Sequence, residues 1–128
     1  VNFAYTVDCV SMKYFQYHEF DSPDVQGSGQ LMDKTLLQML DLARDKFDKP
    51  ITVNSGYRTR AWNEKVGGTS KSSHLKGLAV DLHCNNSADR HELLWCLQDV
   101  GFNRIGIGDT FIHVDIDKDK VQNLIWLY

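Results

Sequence analysis

At 128 residues the chain has room for one domain, spanning 1–128, and little for a second. With 42% hydrophobic and 24% charged residues it is neither disordered nor fibrous, and about two thirds of the unfolded chain's surface can be buried on folding. Fourteen Lys and Arg against seventeen Asp and Glu leave a formal charge of −3, without the basic field that a phosphate-backbone binder needs, so nucleic acid is not an expected partner.

In chain order, Val1-Asn2-Phe3-Ala4-Tyr5 lacks the basic and then apolar pattern of a signal peptide, and no later run approaches the ~18 apolar residues of a membrane span. The chain as given therefore reads as soluble. Residues 1–30 are rich in aromatics (Tyr14, Phe15, Tyr17, Phe20) and then in turn formers (Asp21-Ser22-Pro23-Asp24, Gly27-Ser28-Gly29), which predicts a loop-rich arm around the core. From Asp33, a suitable N-cap, Leu36, Leu40, Ala43 and Phe47 recur at helical spacing, and the helix should end near Asp48-Lys49-Pro50. Ile51-Thr52-Val53 is β-branched and predicts a short strand. Thr59 can cap a short helix through Val66, closed by Gly67-Gly68.

Leu78 to Cys84 alternates, with Leu78, Val80 and Leu82 on one face and Ala79, Asp81 and His83 on the other, as in a half-buried strand. Ser87 can cap a second long helix whose apolar face is Leu93, Leu94, Leu97 and Val100 and whose end is Gly101. Arg104–Ile107 and Phe111–Ile116 predict an antiparallel hairpin about Gly108-Asp109-Thr110, and Leu124–Tyr128 a final strand or docked tail that packs the core. The class is α+β: a small, mainly antiparallel sheet with helices packed on one side. Cys9, Cys84 and Cys96 are odd in number and lack metal-finger spacing, so they read as free, buried thiols.

Asp81 and His113 each sit on the polar face of a strand whose other face is aliphatic. If these strands are close in one sheet, both side chains leave the same surface, and His74 lies at the mouth of the first strand with Gly77 between to let the loop fold back. Two imidazoles and one carboxylate are the ligand set of a catalytic zinc site, which keeps a position open for water, whereas structural zinc closes its shell with thiolates.

The stretch Ser72-Ser73-His74-Leu75-Lys76-Gly77-Leu78-Ala79-Val80-Asp81 resembles the S-x-H-x-x-G-x-A-x-D signature of the zinc D-alanyl-D-alanine carboxypeptidase family, and Phe111-Ile112-His113-Val114-Asp115 resembles its later H-x-D strand. Ser55-Gly56-Tyr57-Arg58-Thr59, Asn63, Gly67-Gly68 and Glu19-Phe20-Asp21-Ser22-Pro23 extend the resemblance over most of the chain. It implies the hedgehog/DD-peptidase fold, zinc on His74, Asp81 and His113, and Arg58 meeting a substrate carboxylate or carbonyl with Ser72 helping in the same pocket. It also implies a peptidoglycan-peptide substrate cut at a D-amino acid by a carboxypeptidase or an endopeptidase. Small members of the family are bacterial or phage-encoded, which implies a monomer acting at the bacterial cell wall.

Many members carry an acid three residues before the final His, where this chain has Thr110. Asp109 is then the expected general acid/base, with Asp115 as the other candidate, although a residue two places from a ligand is more naturally one that orients the imidazole. His83 beside Asp81 stands as an alternative ligand or orienting group, and Tyr57, Trp62 and Trp126 as residues of the cleft or of the core. Two other readings stay open on the sequence: a wall-peptide binding module without turnover, and a structural virion module on the same fold.

Overall fold

The computed structural model describes residues 10–128, so the expectations for Val1–Tyr5 and for Cys9 fall outside the described residues; Cys84 and Cys96 are free and buried. Asp33 opens the first long helix as expected: its carboxylate accepts the Leu36 amide at 3.0 Å, and α1 runs Lys34–Phe47. Asp48 then takes left-handed backbone (φ 57°) and ends it ahead of Pro50. The helical period gathers Leu36, Leu37, Leu40, Ala43 and Phe47 on the buried face.

Helix α2 (Arg60–Lys65) starts at Thr59, whose hydroxyl accepts the Trp62 amide at 3.1 Å. Helix α3 (Ser87–Asp99) starts one residue earlier than expected. Asn86, in extended backbone, is its cap and accepts the Asp89 amide at 2.9 Å. Leu93, Cys96 and Leu97 are its buried residues, while Leu94 and Val100 are only partly buried against the core. Among the described residues no helix is long and apolar enough to cross a membrane.

Five strands form one sheet: β1 Val53–Ser55, β2 Ala79–His83, β3 Arg104–Ile107, β4 Phe111–Asp115 and β5 Leu124–Leu127, in the order β1-β2-β4-β3-β5. All neighbours are antiparallel except β3 and β5, which confirms an α+β fold with a mainly antiparallel sheet. Val80, Leu82, Ile105, Ile112 and Val114 join the buried faces of α1 and α3 in one core. Each such side chain contributes about 1.5–3 kcal/mol of burial. Strand β1 begins two residues later than the Ile51-Thr52-Val53 reading, because Ile51 is drawn into the core instead.

The tail is a strand, but it is not core packing. As an edge strand it has a neighbour on one side only, so Ile125 and Leu127 stay exposed, and Trp126 turns to the face opposite the core. Register then lines up Ser55, Asp81, His113, Gly106 and Trp126 in one row across all five strands, on the face the long helices leave free.

The arm locks the loop that leaves β1. Phe20, buried at the end of a 3-10 turn (Tyr17–Phe20), accepts the Tyr57 amide on its carbonyl at 2.9 Å. A side chain at Gly56 would run into the Phe20 backbone at 2.8 Å, so only glycine lets the arm cross there. Ser22 Oγ accepts the Thr59 amide at 3.1 Å, and Thr59 Oγ1 donates to Asp24 at 2.6 Å. Arg58 is thereby fixed between two anchored neighbours.

Candidate metal centre

His74 lies in a 3-10 turn, Ser73–Lys76, whose first amides are held by Ser72: its hydroxyl accepts the His74 amide at 3.3 Å. The turn is released by Gly77 in left-handed backbone (φ 70°), where a Cβ would strike the Leu31 carbonyl at 2.4 Å. The ring of His74 is buried and its Nδ1 is 2.7 Å from the Gly56 carbonyl. A carbonyl only accepts, so Nδ1 carries the proton and Nε2 is left as a bare nitrogen, 3.4 Å from Asp81 Oδ2.

Cross-strand pairing of β2 and β4 sets Asp81 directly beside His113, with Nδ1 of the ring 2.8 Å from Asp81 Oδ1. On the other side Nε2 of His113 is 2.7 Å from Asp115 Oδ2. Asp115 is itself fully committed. It accepts Arg104 Nε at 2.6 Å and the Asp117 amide at 3.1 Å as well as the imidazole. The two rings meet edge to face with centroids 5.4 Å apart.

Charge in this cluster is set by mutual contact. Burial alone would raise the Asp81 carboxyl, but the hydrogen bond from His113 holds it well below the usual carboxylate range. Burial would lower His113, yet Asp115 and Asp81 hold its pKa up. Asp115 is kept low against burial by His113 and Arg104.

His74, Asp81 and His113 each offer one ligand atom, and these atoms lie within 4.8 Å of one another. The donor chemistry fits a zinc ion: two imidazoles, each with its outer nitrogen held by a backbone carbonyl or a carboxylate, and one ionised carboxylate. Above them is an open cleft of about 390 Å³.

Arg58 lines this cleft. Its Nε donates to Ser55 at 3.1 Å, one terminal nitrogen to Asn63 at 3.2 Å and the other to Asp81 at 3.5 Å. Asn63 is buried and also donates to the Thr69 carbonyl at 2.8 Å, which ties the Gly67-Gly68 loop to the cleft rim. Ser72 lines the cleft while capping the His74 turn.

Asp109 is not brought in. It is exposed in the turn between β3 and β4, its carbonyl accepts Arg90 at 3.0 Å, and it is not among the residues lining the cleft. It lies two residues before β4 begins at Phe111, so it stands at the turn end of the hairpin, opposite to Asp115 at the other end of β4. His83 is exposed opposite Phe111, also outside the cleft. Tyr57 packs against the core, Trp62 borders a separate groove, and of the three aromatics singled out Trp126 alone lines the cleft.

Sequence reasoning missed Arg104, Gly106 and Tyr128. The Trp126 ring sits 5.5 Å from His113 with the Arg104 guanidinium 5.1 Å above it, and Tyr128 packs on Phe111 at 4.9 Å. Gly106 makes this possible, because a Cβ there would meet Trp126 at 2.6 Å and Tyr128 at 2.7 Å. A glycine between the two isoleucines of the strand Arg104–Ile107 was the available signal.

Two oriented imidazoles and a carboxylate on the open face of a small α+β sheet, under a cleft that ends in an arginine, form a donor set that fits a mononuclear centre of the metallohydrolase type. A family model described as peptidase M15 matches residues 13–116, and the chain belongs to that family. It is also 57% identical over 35 residues to the zinc D-Ala-D-Ala carboxypeptidase of Streptomyces albus G. That stretch is 27% of this chain and 14% of the relative, so the likeness spans only a small part of that protein.

Proposed function

We propose that the chain is a zinc-dependent peptidase that hydrolyses an amide bond in peptidoglycan peptides, at a D-amino acid, and that it works as a monomer at the bacterial cell wall. The observation that carries this reading is the pair of pinned imidazoles. With Nδ1 of His74 on Gly56 and Nε2 of His113 on Asp115, the inward nitrogens of both rings converge with the Asp81 carboxylate at the base of the cleft. Family membership and the D-Ala-D-Ala specificity in the relative's name support the metal and the substrate class.

His74, Asp81 and His113 would hold the zinc, which would supply Lewis acidity for polarising an amide carbonyl and activating water near neutral pH. The chain's own part is positional. Arg58, held from Ser55 and Asn63, presents a guanidinium to a carboxylate or carbonyl of the peptide. Ser72 stands beside it, and Trp126 with Tyr128 forms an aromatic wall that shields one side from water. The cleft's carboxylates, Asp81 and Asp115, are both engaged by imidazoles. Asp109 serves as proton carrier only by closure of the Gly108-Asp109-Thr110 turn over the cleft.

The position of Asp109 outside the cleft favours one second reading, a module that binds wall peptides and holds the metal without turnover. Mass spectrometry of muropeptides after incubation with the purified, zinc-loaded chain separates the two. New amino termini at a D-residue support the peptidase, and unaltered muropeptides with zinc bound refute it. His74→Ala and His113→Ala should each lose zinc by elemental analysis while the fold survives, since this core does not depend on metal as a small finger does.

A further inference from the structure

Lys120 stands on the cleft wall from the connection between β4 and β5, beyond the stretch that matches the family. Its ammonium donates to Ser73 Oγ at 2.8 Å, and Asp117 Oδ2 is 3.9 Å away, outside hydrogen-bond range. That oxygen already accepts Ser73 Oγ at 2.7 Å and Lys76 Nζ at 3.2 Å. The buried Ser73–Asp117 bond is therefore complete without Lys120. The ammonium has three donors and spends one on a neutral hydroxyl, with its side chain partly open to the cleft.

The turn that carries His74 is thus touched by two cations arriving from different elements. Lys120 reaches Ser73, while the Arg58 amide donates to the His74 carbonyl at 3.1 Å and its guanidinium shares Asp81 with His74. Once Asp81 serves a metal, Arg58 has no carboxylate of its own, and the cleft is lined by Arg58 and Lys120 as well as by Arg104, which Asp115 engages.

Resting on the peptidase reading above, we infer that Lys120 is an anion anchor of the substrate site, so that the preferred peptides carry a carboxylate on the acyl side of the scissile bond in addition to the group that meets Arg58. A flexible ammonium suits this role. It meets a carboxylate as a point charge and needs no fixed bidentate geometry, so it tolerates small differences in peptide length.

The test uses the zinc-loaded full chain and two peptide pairs, acetyl-Glu-D-Ala-D-Ala with its Gln counterpart, and acetyl-Glu-Ala-D-Ala-D-Ala with its Gln counterpart. Equilibrium binding by calorimetry and KM are measured for wild type, Lys120→Gln and Lys120→Arg, with zinc content as a control. Wild type should favour the Glu member of at least one pair by about tenfold, the scale of one charge-assisted hydrogen bond. Lys120→Gln should bring that ratio close to one at unchanged zinc content, and Lys120→Arg should keep most of it. Wild type that binds and cleaves both members equally overturns this inference and leaves the peptidase reading standing. A preference that survives in Lys120→Gln, or zinc lost from that variant, also overturns it and returns Lys120 to a structural brace. Wild type that neither binds nor cleaves any of the four overturns the peptidase reading, and this inference with it.

Discussion

Asp115→Asn separates the orientation of His113 from its presence. Asp115 faces three donors: Arg104 Nε and the Asp117 amide on Oδ1, and His113 Nε2 on Oδ2. Neither the guanidinium nor the amide can become an acceptor, so the single oxygen of Asn must turn to them and its NH2 must face the imidazole. The ring then has to accept at Nε2 and carry its proton on Nδ1, the nitrogen that faces Asp81 and the metal position. Losing an orienting carboxylate of this kind costs about 10–100-fold in metal affinity, or about 1.4–2.7 kcal/mol. At a fixed zinc concentration well above Kd, a 30-fold weaker site stabilises the fold by about 2 kcal/mol less. The metal-free variant also loses stability, because Arg104 is buried against a neutral partner. Zinc competition titration with a chelating dye gives the affinity, metal-free and zinc-loaded denaturation separate the two stability effects, and imidazole 15N shifts report the tautomer. Zinc binding at wild-type affinity with the proton still on Nε2 of His113 would refute the reasoning.

With the hairpin turn where the structure places it, Asp109→Asn should keep its turnover within about twofold, whereas loss of a general acid/base costs about 10² to 10⁴; a fall of that size with zinc retained would show that the turn closes over the cleft. Arg58→Lys should raise KM on a free-acid peptide and cost about 2 kcal/mol or more in kcat/KM, with a smaller change on the matching amide, and equal unaltered kinetics on both would make Arg58 a brace for Ser55 and Asn63. Asp117 is buried, which would raise its carboxyl, but Ser73, the Asp119 amide and Lys76 hold it below the ordinary value. A depressed folded pKa contributes stability above the unfolded value of about 3.9 and loses it as pH falls through the lower folded value. Denaturation midpoints should therefore drop from pH 5 towards pH 2 more steeply in wild type than in Asp117→Asn, and parallel curves would remove Asp117 from the acid response.

What the sequence made legible was local. Asp33 and Thr59 each announce a helix, because a cap and the residues it serves lie within one turn, and the alternation around Asp81 and His113 assigns both to one face without knowing the partner strand. The extent of β1 is a different matter. It is decided by its partner β2, across a register shift between Val53 and Ser55 that no feature of Ile51-Thr52-Val53 records. Trp126 and Lys120 belong to a segment whose place depends on parallel pairing with β3, some twenty residues back in the chain, and non-local pairing leaves no local signature. Asp109 shows the limit of counting positions. Spacing measures separation along the strand, and a residue four places before a ligand in a hairpin is carried away from it.

The bare backbone at Gly106 carries a consequence for how the molecule can diversify. In the row Ser55, Asp81, His113, Gly106, Trp126, the ligands belong to two adjacent interior strands, and the aromatic wall arrives from an edge strand across a position with no side chain. Centre and wall therefore share a gap, with no covalent or ladder contact between β4 and β5. Only the outward residues Ile125 and Leu127 are free to be rewritten, because Trp126 packs on His113 and under Arg104, and it fits there only while Gly106 has no side chain. For protein design this makes the outer face of β5 the panel open to change, and Gly106 the socket that receives its inner face.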